Sequence, residues 1–499
     1  MNNLQISYEE DFDMRAKRIM SLLLVLALVL TTLTACGGKK EDTGANGTTT
    51  AVSEDDGAQG GSDTGEEAAA DDTVTEETGL APMTTDEITL TYACWGLAEK
   101  GEIEAKNKQI EAFMKAYPNI TVEFVTVDQA TWNDGLTTLA ATGSLPDVFW
   151  TFSVTDAIMN EWALDVTDFY ANDPDAKEVY PSMVENSKID GKLYSMPTVM
   201  FPYLVFLNKT LFEKYNEPLP SYDWTIDDFK EIAARMSHPE DFNFGTSNPN
   251  YPDYFPAQYS DTQSMRGWDG SSYAFDQTWI DAMNMKYDYI DNDIVEWESA
   301  EDKLKWLGDE GAWPPGFGRS AMHFDWTWTI AYFEDAVTQQ SGCEFLYYPQ
   351  PAGPSGRQMA VVDYGVVSAT TEHPREAWEL QKWTSWGEEA CLNRLEGYKE
   401  AGVPIVSRMP VINNETVWEA VSNYTDREDI KAVYSKLTDI VPTVGSVAPG
   451  WGQFDTWMNE NGIWAQLDNR EITPAEIADT LTEKANAFKD EWIANMPQY

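Results

Sequence analysis

The succession of strand, helix and strand between Ile88 and Val127 restricts the fold more than any other feature of the chain. Ile88-Thr89-Leu90-Thr91-Tyr92-Ala93-Cys94 alternates apolar and polar residues over its first half, the two-residue period of a strand. Trp95 and Gly96 end it. Glu102 to Tyr117 reads as an amphipathic helix with Ile103, Ile110, Phe113 and Met114 on one side. Pro118-Asn119 stops the helix, and Ile120 to Val127 is a second strand. A β–α–β unit of this size implies an α/β domain with a parallel sheet, because parallel neighbours need a crossover between them. Ligands of such sheets bind beyond the carboxyl ends of the strands, which is where Trp95 stands.

The N-terminus is of a different kind. Met14-Arg15-Ala16-Lys17-Arg18 is a short positive region, and Ile19 to Leu30 is an almost unbroken apolar stretch. At about 12 residues it is too short for a hydrocarbon core of roughly 30 Å, but it has the length of a signal-peptide apolar segment. Leu33-Thr34-Ala35-Cys36 follows, with Gly37 and Gly38 behind it, and this resembles the lipobox of bacterial lipoproteins. That resemblance implies cleavage before Cys36, lipidation of its thiol and a mature chain held at the outer face of the cell membrane. Glu9, Glu10, Asp11 and Asp13 do not suit the positive region, so Met14 is the expected start and residues 1–35 the signal segment. From Cys36 to Glu87 the chain is mostly Gly, Ser, Thr, Ala, Asp and Glu. Such a segment buries too little apolar surface to offset the entropy of ordering, and it is expected to be a disordered acidic tether. A flexible coil of that length spans roughly 40 Å.

The remaining residues, 88–499, suffice for two domains or two lobes. A formal charge of −51, from 33 basic and 84 acidic residues, argues against a nucleic-acid partner. Apart from Cys36, the cysteines are Cys94, Cys343 and Cys391. The number is odd, and one disulfide among them is compatible with the sequence; no spacing points to a metal site. The 20 Trp and 23 Tyr exceed ordinary usage, and most are expected to pack, with a few offering flat faces in a cleft.

Further blocks occur in a set order. Trp132 to Ala141 is a helix leading into Gly143-Ser144-Leu145-Pro146-Asp147-Val148-Phe149-Trp150. Gly191 to Pro197, Tyr203 to Lys209, and Leu211-Phe212 come next. Asp223 to Met236 reads as a helix capped by Thr225, with Asp228 three residues on. Gly318-Arg319-Ser320-Ala321-Met322 leads into Asp325, Trp326 and Trp328, and His373 to Trp383 and Arg470 to Asn486 complete the series. Taken together, over residues 88–499, these blocks resemble the family-1 extracellular solute-binding proteins, which include maltodextrin- and multiple-sugar-binding proteins.

The resemblance implies a two-lobed α/β fold of the type II periplasmic-binding-protein kind, with ligand held between lobes joined by a hinge. The first lobe is expected to take residues 88–202 plus 350–402, and the second 203–349 plus 403–499. It implies capture of a carbohydrate, an oligosaccharide by expectation, for delivery to the permease of an ABC importer, and closure over the ligand. A monomer without enzymatic activity, cofactor or metal is expected. The ligand-binding residues it implies are Trp95, Trp150, Ser153, Asp325, Trp328 and Trp451, with Tyr203 near the hinge and Asp363 as further candidates. Asp363-Tyr364-Gly365 stands where the family often has a glycine-rich loop. The chemistry suits a pyranose, whose apolar face takes an aromatic ring and whose hydroxyl rim takes carboxylates.

Glu99 and Asp134 read as either cleft or surface residues, and Asp147 as a brace for the strand end. His238, His323 and His373 read as surface or packing residues with no Ser/His/Asp pattern around them. Alternatives remain. The same fold could bind a polyamine through cation–π contacts, or a peptide. A carbohydrate-active enzyme would also combine aromatic residues with paired carboxylates. Asp291-Asn292-Asp293 lacks the glycine and distal Glu of a calcium loop.

Overall fold

A computed structural model describes residues 79–247, 255–263, 267–295 and 299–497. The signal segment, Cys36 and residues 37–78 of the expected tether lie outside the described residues.

The alternation at Ile88 forms β1 (Ile88–Ala93), one residue shorter than its sequence pattern. The helix Glu102–Ala116 carries the chain across to β2 (Ile120–Phe124), and the helix Trp132–Ala141 leads to β3 (Val148–Thr151). β1 lies between β2 and β3 and is parallel to both, as the crossover rule requires. The sheet does not stay parallel. β4 (Met196–Asn208) is a 13-residue strand with every residue buried. β5 (Phe244–Ser247), β6 (Ser320–Trp326), β7 (Phe345–Pro349), β8 (Gln358–Val367) and β9 (Ile440–Pro442) complete the set. The order is β2-β1-β3-β8-β4-β6-β5, with β7 also on β4 and β9 also on β8.

β4 joins two halves of this arrangement. Its residues Met196 to Pro202 pair antiparallel with β8, and from Tyr203 onward it pairs antiparallel with β6, while β7 takes Leu204 to Asn208. A strand covered on both faces reads as a continuous apolar run, which is what Met196-Pro-Thr-Val-Met-Phe-Pro-Tyr-Leu-Val-Phe-Leu is. β9 pairs with β8, and Met409 forms a bridge with Met200 on the first half of β4.

The buried face of the Glu102–Ala116 helix is rotated from the one its apolar residues suggest. Glu102, Ala105, Lys106, Gln109, Ile110 and Phe113 are buried, whereas Ile103 and Met114 are only partly so. This face packs on the helix Glu388–Ala401 so closely that a Cβ on Gly397 would come within 2.5 Å of the Ala105 Cα. Glycine is what permits that approach.

Local signals elsewhere match the backbone. The helix Ile226–Arg235 has Thr225 as N-cap, with Asp228 returning the bond to the Thr225 N–H at 2.8 Å. The helix Pro474–Ala494 repeats the device with Thr473 and Glu476. A cap of this kind contributes about 1 kcal/mol. Asp147 braces the end of β3 as expected: its carboxylate accepts from the Thr91 N–H at 2.8 Å, the Thr91 hydroxyl at 2.7 Å and the Thr371 hydroxyl at 2.6 Å. Cys94, Cys343 and Cys391 are all buried free thiols, so no disulfide forms among them. Burial pushes the Cys391 thiol up to about 12. No helix among the described residues is long and apolar enough to cross a membrane.

Candidate functional site

Trp95 leaves β1 at its carboxyl end, as predicted, but it is enclosed rather than open. Its ring lies flat against Phe152 at 4.0 Å and meets the edges of Trp132 at 5.3 Å and Trp150 at 5.2 Å. Only Phe152 of these three is partly exposed. The indole N–H of Trp95 donates to Asp363 of β8 at 3.1 Å. Burial pushes the Asp363 carboxyl up to about 6, against the opposing pull of the Arg408 guanidinium and the Trp95 bond.

Arg408 ties this corner together. Its guanidinium is 2.7 Å from Glu102 and 2.9 Å from Glu99, and it lies 5.4 Å from the centre of the Phe201 ring. Glu102 also accepts from the Tyr398 hydroxyl, and Arg394 stands 3.9 Å away. Although burial alone would raise the Glu102 carboxyl, Arg408 and Arg394 hold it below the usual carboxylate range. Glu99 is a half-exposed partner of Arg408. Gly96, at φ 80°, leaves the room: a Cβ there would lie 2.4 Å from the Arg408 guanidinium. Beneath this cluster Lys106 donates to the Thr384 carbonyl at 2.6 Å and sits 4.7 Å over the Trp150 ring. Burial, then the charge of Arg394, draws the Lys106 ammonium down to about 7.

Phe201 is the link to the other half of β4. Its ring meets that of Trp328 at 5.1 Å, and Trp328 meets Trp326 at 5.6 Å, which in turn lies 4.4 Å from Tyr203. Tyr203 and Trp326 are directly opposed across the β4–β6 ladder. Trp328 and Asp325 are partly exposed, while Tyr203 and Trp326 are buried. The Thr327 hydroxyl donates to the Ser407 carbonyl at 2.5 Å, next to Arg408. Trp95, Tyr203, Asp325, Trp328 and Asp363 thus belong to one continuous set of contacts about the crossing point of β4.

Three predicted residues stand apart from that surface. Trp150 is fully buried behind Trp95. Ser153 caps the helix Val154–Met159, its hydroxyl accepting from the Asp156 N–H at 3.1 Å. Trp451 begins the helix Trp451–Glu460, buried against Tyr273 at 5.8 Å and Phe454 at 5.4 Å. Asp134 is exposed in the first turn of its helix. Asp291 is held by Arg470, with one of the two oxygen contacts at 2.8 Å.

The histidine reading needs one correction. His323 does have Ser and Asp partners: the Ser247 hydroxyl contacts Nδ1, and Nε2 lies 3.3 Å from Asp325 Oδ2. The β5–β6 pairing opposes Ser247 to His323, a contact between residues far apart in the chain that linear spacing does not announce. Ser247 is fully buried, so its hydroxyl is not placed to attack a substrate. Phe152, Phe201 and Arg408 were also missed. Phe152 adjoins the Trp150 motif and was within reach of the sequence, whereas Arg408 arrives from a distant loop.

Comparison with known proteins places this geometry in a family. Residues 99–384 match the family model of bacterial extracellular solute-binding proteins. An uncharacterised ABC transporter extracellular-binding protein of Pyrococcus horikoshii is 22% identical over 447 residues, covering 83% of this chain and 92% of that protein. Among solved structures, an ABC substrate-binding protein from Listeria monocytogenes in complex with cycloalternan superposes with a TM-score of 0.59 at 19% identity. The match covers 81% of this chain and 99% of the other. The sugar-binding protein MalE from Xanthomonas citri gives 0.59 at 14% identity, covering 82% and 100%. The fold is that of the two-lobed type II periplasmic binding proteins, and the chain belongs to the bacterial extracellular solute-binding proteins.

Proposed function

We propose that this solute-binding protein captures a carbohydrate, by preference an oligosaccharide, in a cleft at the crossing point of β4, and delivers it unaltered to an ABC permease. The lobes proposed are residues 88–202 with 350–402 and residues 203–349 with 403–499. The observation that carries the reading is the pairing of a partly exposed indole, Trp328, with a partly exposed carboxylate, Asp325, at the end of one strand. A sugar ring offers a C–H face to the first and hydroxyl hydrogens to the second. A carboxylate that accepts from sugar hydroxyls also disfavours analogues lacking them, since it would then be left desolvated and unpaired. Across the crossing point, Phe152 supplies a second partly exposed ring over Trp95, and Asp363 a second carboxylate. Trp95, Trp150 and Tyr203 support this lining from within the fold, whereas Ser153 and Trp451, the other residues expected at the ligand, lie apart from it. The protein from Listeria holds cycloalternan and that from Xanthomonas is named for sugar binding, which supports this ligand class.

The chain acts as a monomer, tethered through a lipid on Cys36 to the outer face of the cell membrane, close to its permease. Calorimetric titration of wild type and Trp328→Ala with linear and cyclic glucose oligosaccharides, with chromatography of the recovered sugar, tests the reading. Saturable binding by wild type, intact sugar and weakened binding by the variant at unchanged melting temperature are expected. A variant that unfolds would make Trp328 a packing residue and remove it from the site.

A further inference from the structure

His323 is buried, yet it is joined by hydrogen bonds on both sides, and no catalytic or metal role accounts for it. Its Nδ1 faces the hydroxyl of Ser247, which is itself fully buried. Its Nε2 faces Asp325 Oδ2 at 3.3 Å. The ring is clamped by Phe333, nearly parallel at 5.4 Å, and by the edge of Trp313 at 5.0 Å. Phe206 closes the remaining side at 5.9 Å. Asp325, two residues along β6, is the partly exposed end of this line, and its other oxygen accepts from the Trp326 N–H at 2.8 Å.

A neutral imidazole has one donor and one acceptor nitrogen. A carboxylate can only accept, so with the ring neutral the nitrogen facing Asp325 carries the proton and Nδ1 accepts from the Ser247 hydroxyl. The line therefore has a single direction: Ser247 donates to His323, and His323 donates to Asp325. We propose that His323 is a positioning residue that fixes the carboxylate of Asp325 for hydroxyl groups of the ligand, with Ser247 setting its tautomer. The proposal rests on the carbohydrate reading of the cleft.

The physical case is one of preorganisation. A free aspartate side chain loses rotamer freedom when a ligand immobilises it, and that loss counts against binding. Asp325 is already held at both oxygens, each by one donor, and each oxygen keeps a second lone pair for a ligand hydroxyl. Trp313 is exposed, and its ring stands nearly at right angles to that of His323 at 5.0 Å, covering the buried imidazole on that side. Ser247 and the His323 ring are both buried, so the end of the line that can meet a ligand is Asp325.

Two measurements on the whole chain test this. The chain has only 3 histidines, so nitrogen-15 labelling of His resolves each imidazole by NMR. His323 is expected as the Nε2–H tautomer, and in Ser247→Ala that preference should weaken. A Nδ1–H tautomer in wild type overturns the proposal. Titration then uses whichever glucose oligosaccharide binds wild type. His323→Leu is expected to lose about tenfold or more in affinity, while His323→Gln, whose amide can still donate to Asp325, recovers most of it. His323→Leu should cost little in an Asp325→Asn background, because the two act as one unit. Equal losses in Leu and Gln variants, or additive losses with Asp325→Asn, overturn the positioning role. Absence of carbohydrate binding by wild type would instead sink the carbohydrate reading, and the NMR result would still judge the direction of the line.

Discussion

The ring of Phe152 lies over that of Trp95 with centroids 4.0 Å apart and planes inclined by 11°, so the outer ring is open to solvent and the inner one is not. The two should respond differently to truncation. Trp95→Ala removes the centre of a four-ring cluster and is expected to destabilise the fold by about 3–5 kcal/mol. Phe152→Ala should cost less stability and weaken ligand binding about tenfold. Urea unfolding and calorimetric titration of both variants check this, and an unchanged midpoint for Trp95→Ala would contradict the enclosed placement of that ring.

Arg408 is buried between Glu102 and Glu99. Replacing it by Leu leaves the Glu102 carboxylate buried with Arg394 only 3.9 Å away, and a loss of about 3–5 kcal/mol is expected. Arg408→Lys should recover little, since one ammonium cannot reproduce the fork that reaches both glutamates. Urea denaturation of the two variants measures it, and near-complete recovery by Lys would show that only the charge matters there.

Asp363 makes the stability of the fold depend on pH. Its carboxyl stands at about 6 in the folded chain, above the roughly 3.9 of an unfolded aspartate. The folded state therefore holds this proton more tightly, and this group's contribution to stability falls as pH rises from about 4 to 6. Asp363→Asn, which keeps an acceptor for the Trp95 N–H, should gain on wild type by up to about 3 kcal/mol between pH 4 and pH 7.5. Unfolding of both proteins at the two pH values checks this. A constant difference would mean that burial does not perturb this group.

The lipid anchor rests on the Leu33-Thr34-Ala35-Cys36 sequence. Cys36→Ser should move the protein from the membrane fraction to the medium without altering ligand affinity, as fractionation and titration would reveal. Retention on membranes would contradict a lipid at that residue.

The parts of the fold legible in the sequence are those set by local rules. Alternation at Ile88, the stop at Pro118-Asn119 and the Thr225/Asp228 capping box each depend on neighbours in the chain, and each appears in the structure within a residue or two. The buried face of the helix Glu102–Ala116 was misread because it carries Glu102, Lys106 and Gln109. Polar residues enter a core only when partners arrive from elsewhere, here Arg408, Thr384 and Ala390. The antiparallel return of β8 and the double use of β4 are long-range pairings that periodicity does not encode. The site divides in the same way. The place of Trp95 at a strand end follows from strand–loop logic and Asp325 with Trp328 was expected from the family resemblance, whereas the burial of Trp150 and Trp451 and the link from Ser247 to His323 follow from packing.

Thermal unfolding of the chain in the presence of mono- and oligosaccharides, polyamines and peptides tests the central claim most directly. A ligand at 100 times its Kd adds about 2.7 kcal/mol of stability, enough to raise the melting temperature clearly. Such a rise is expected with one class of carbohydrate, recovered unaltered. A flat response to every carbohydrate, with a rise for a polyamine or a peptide, would contradict it.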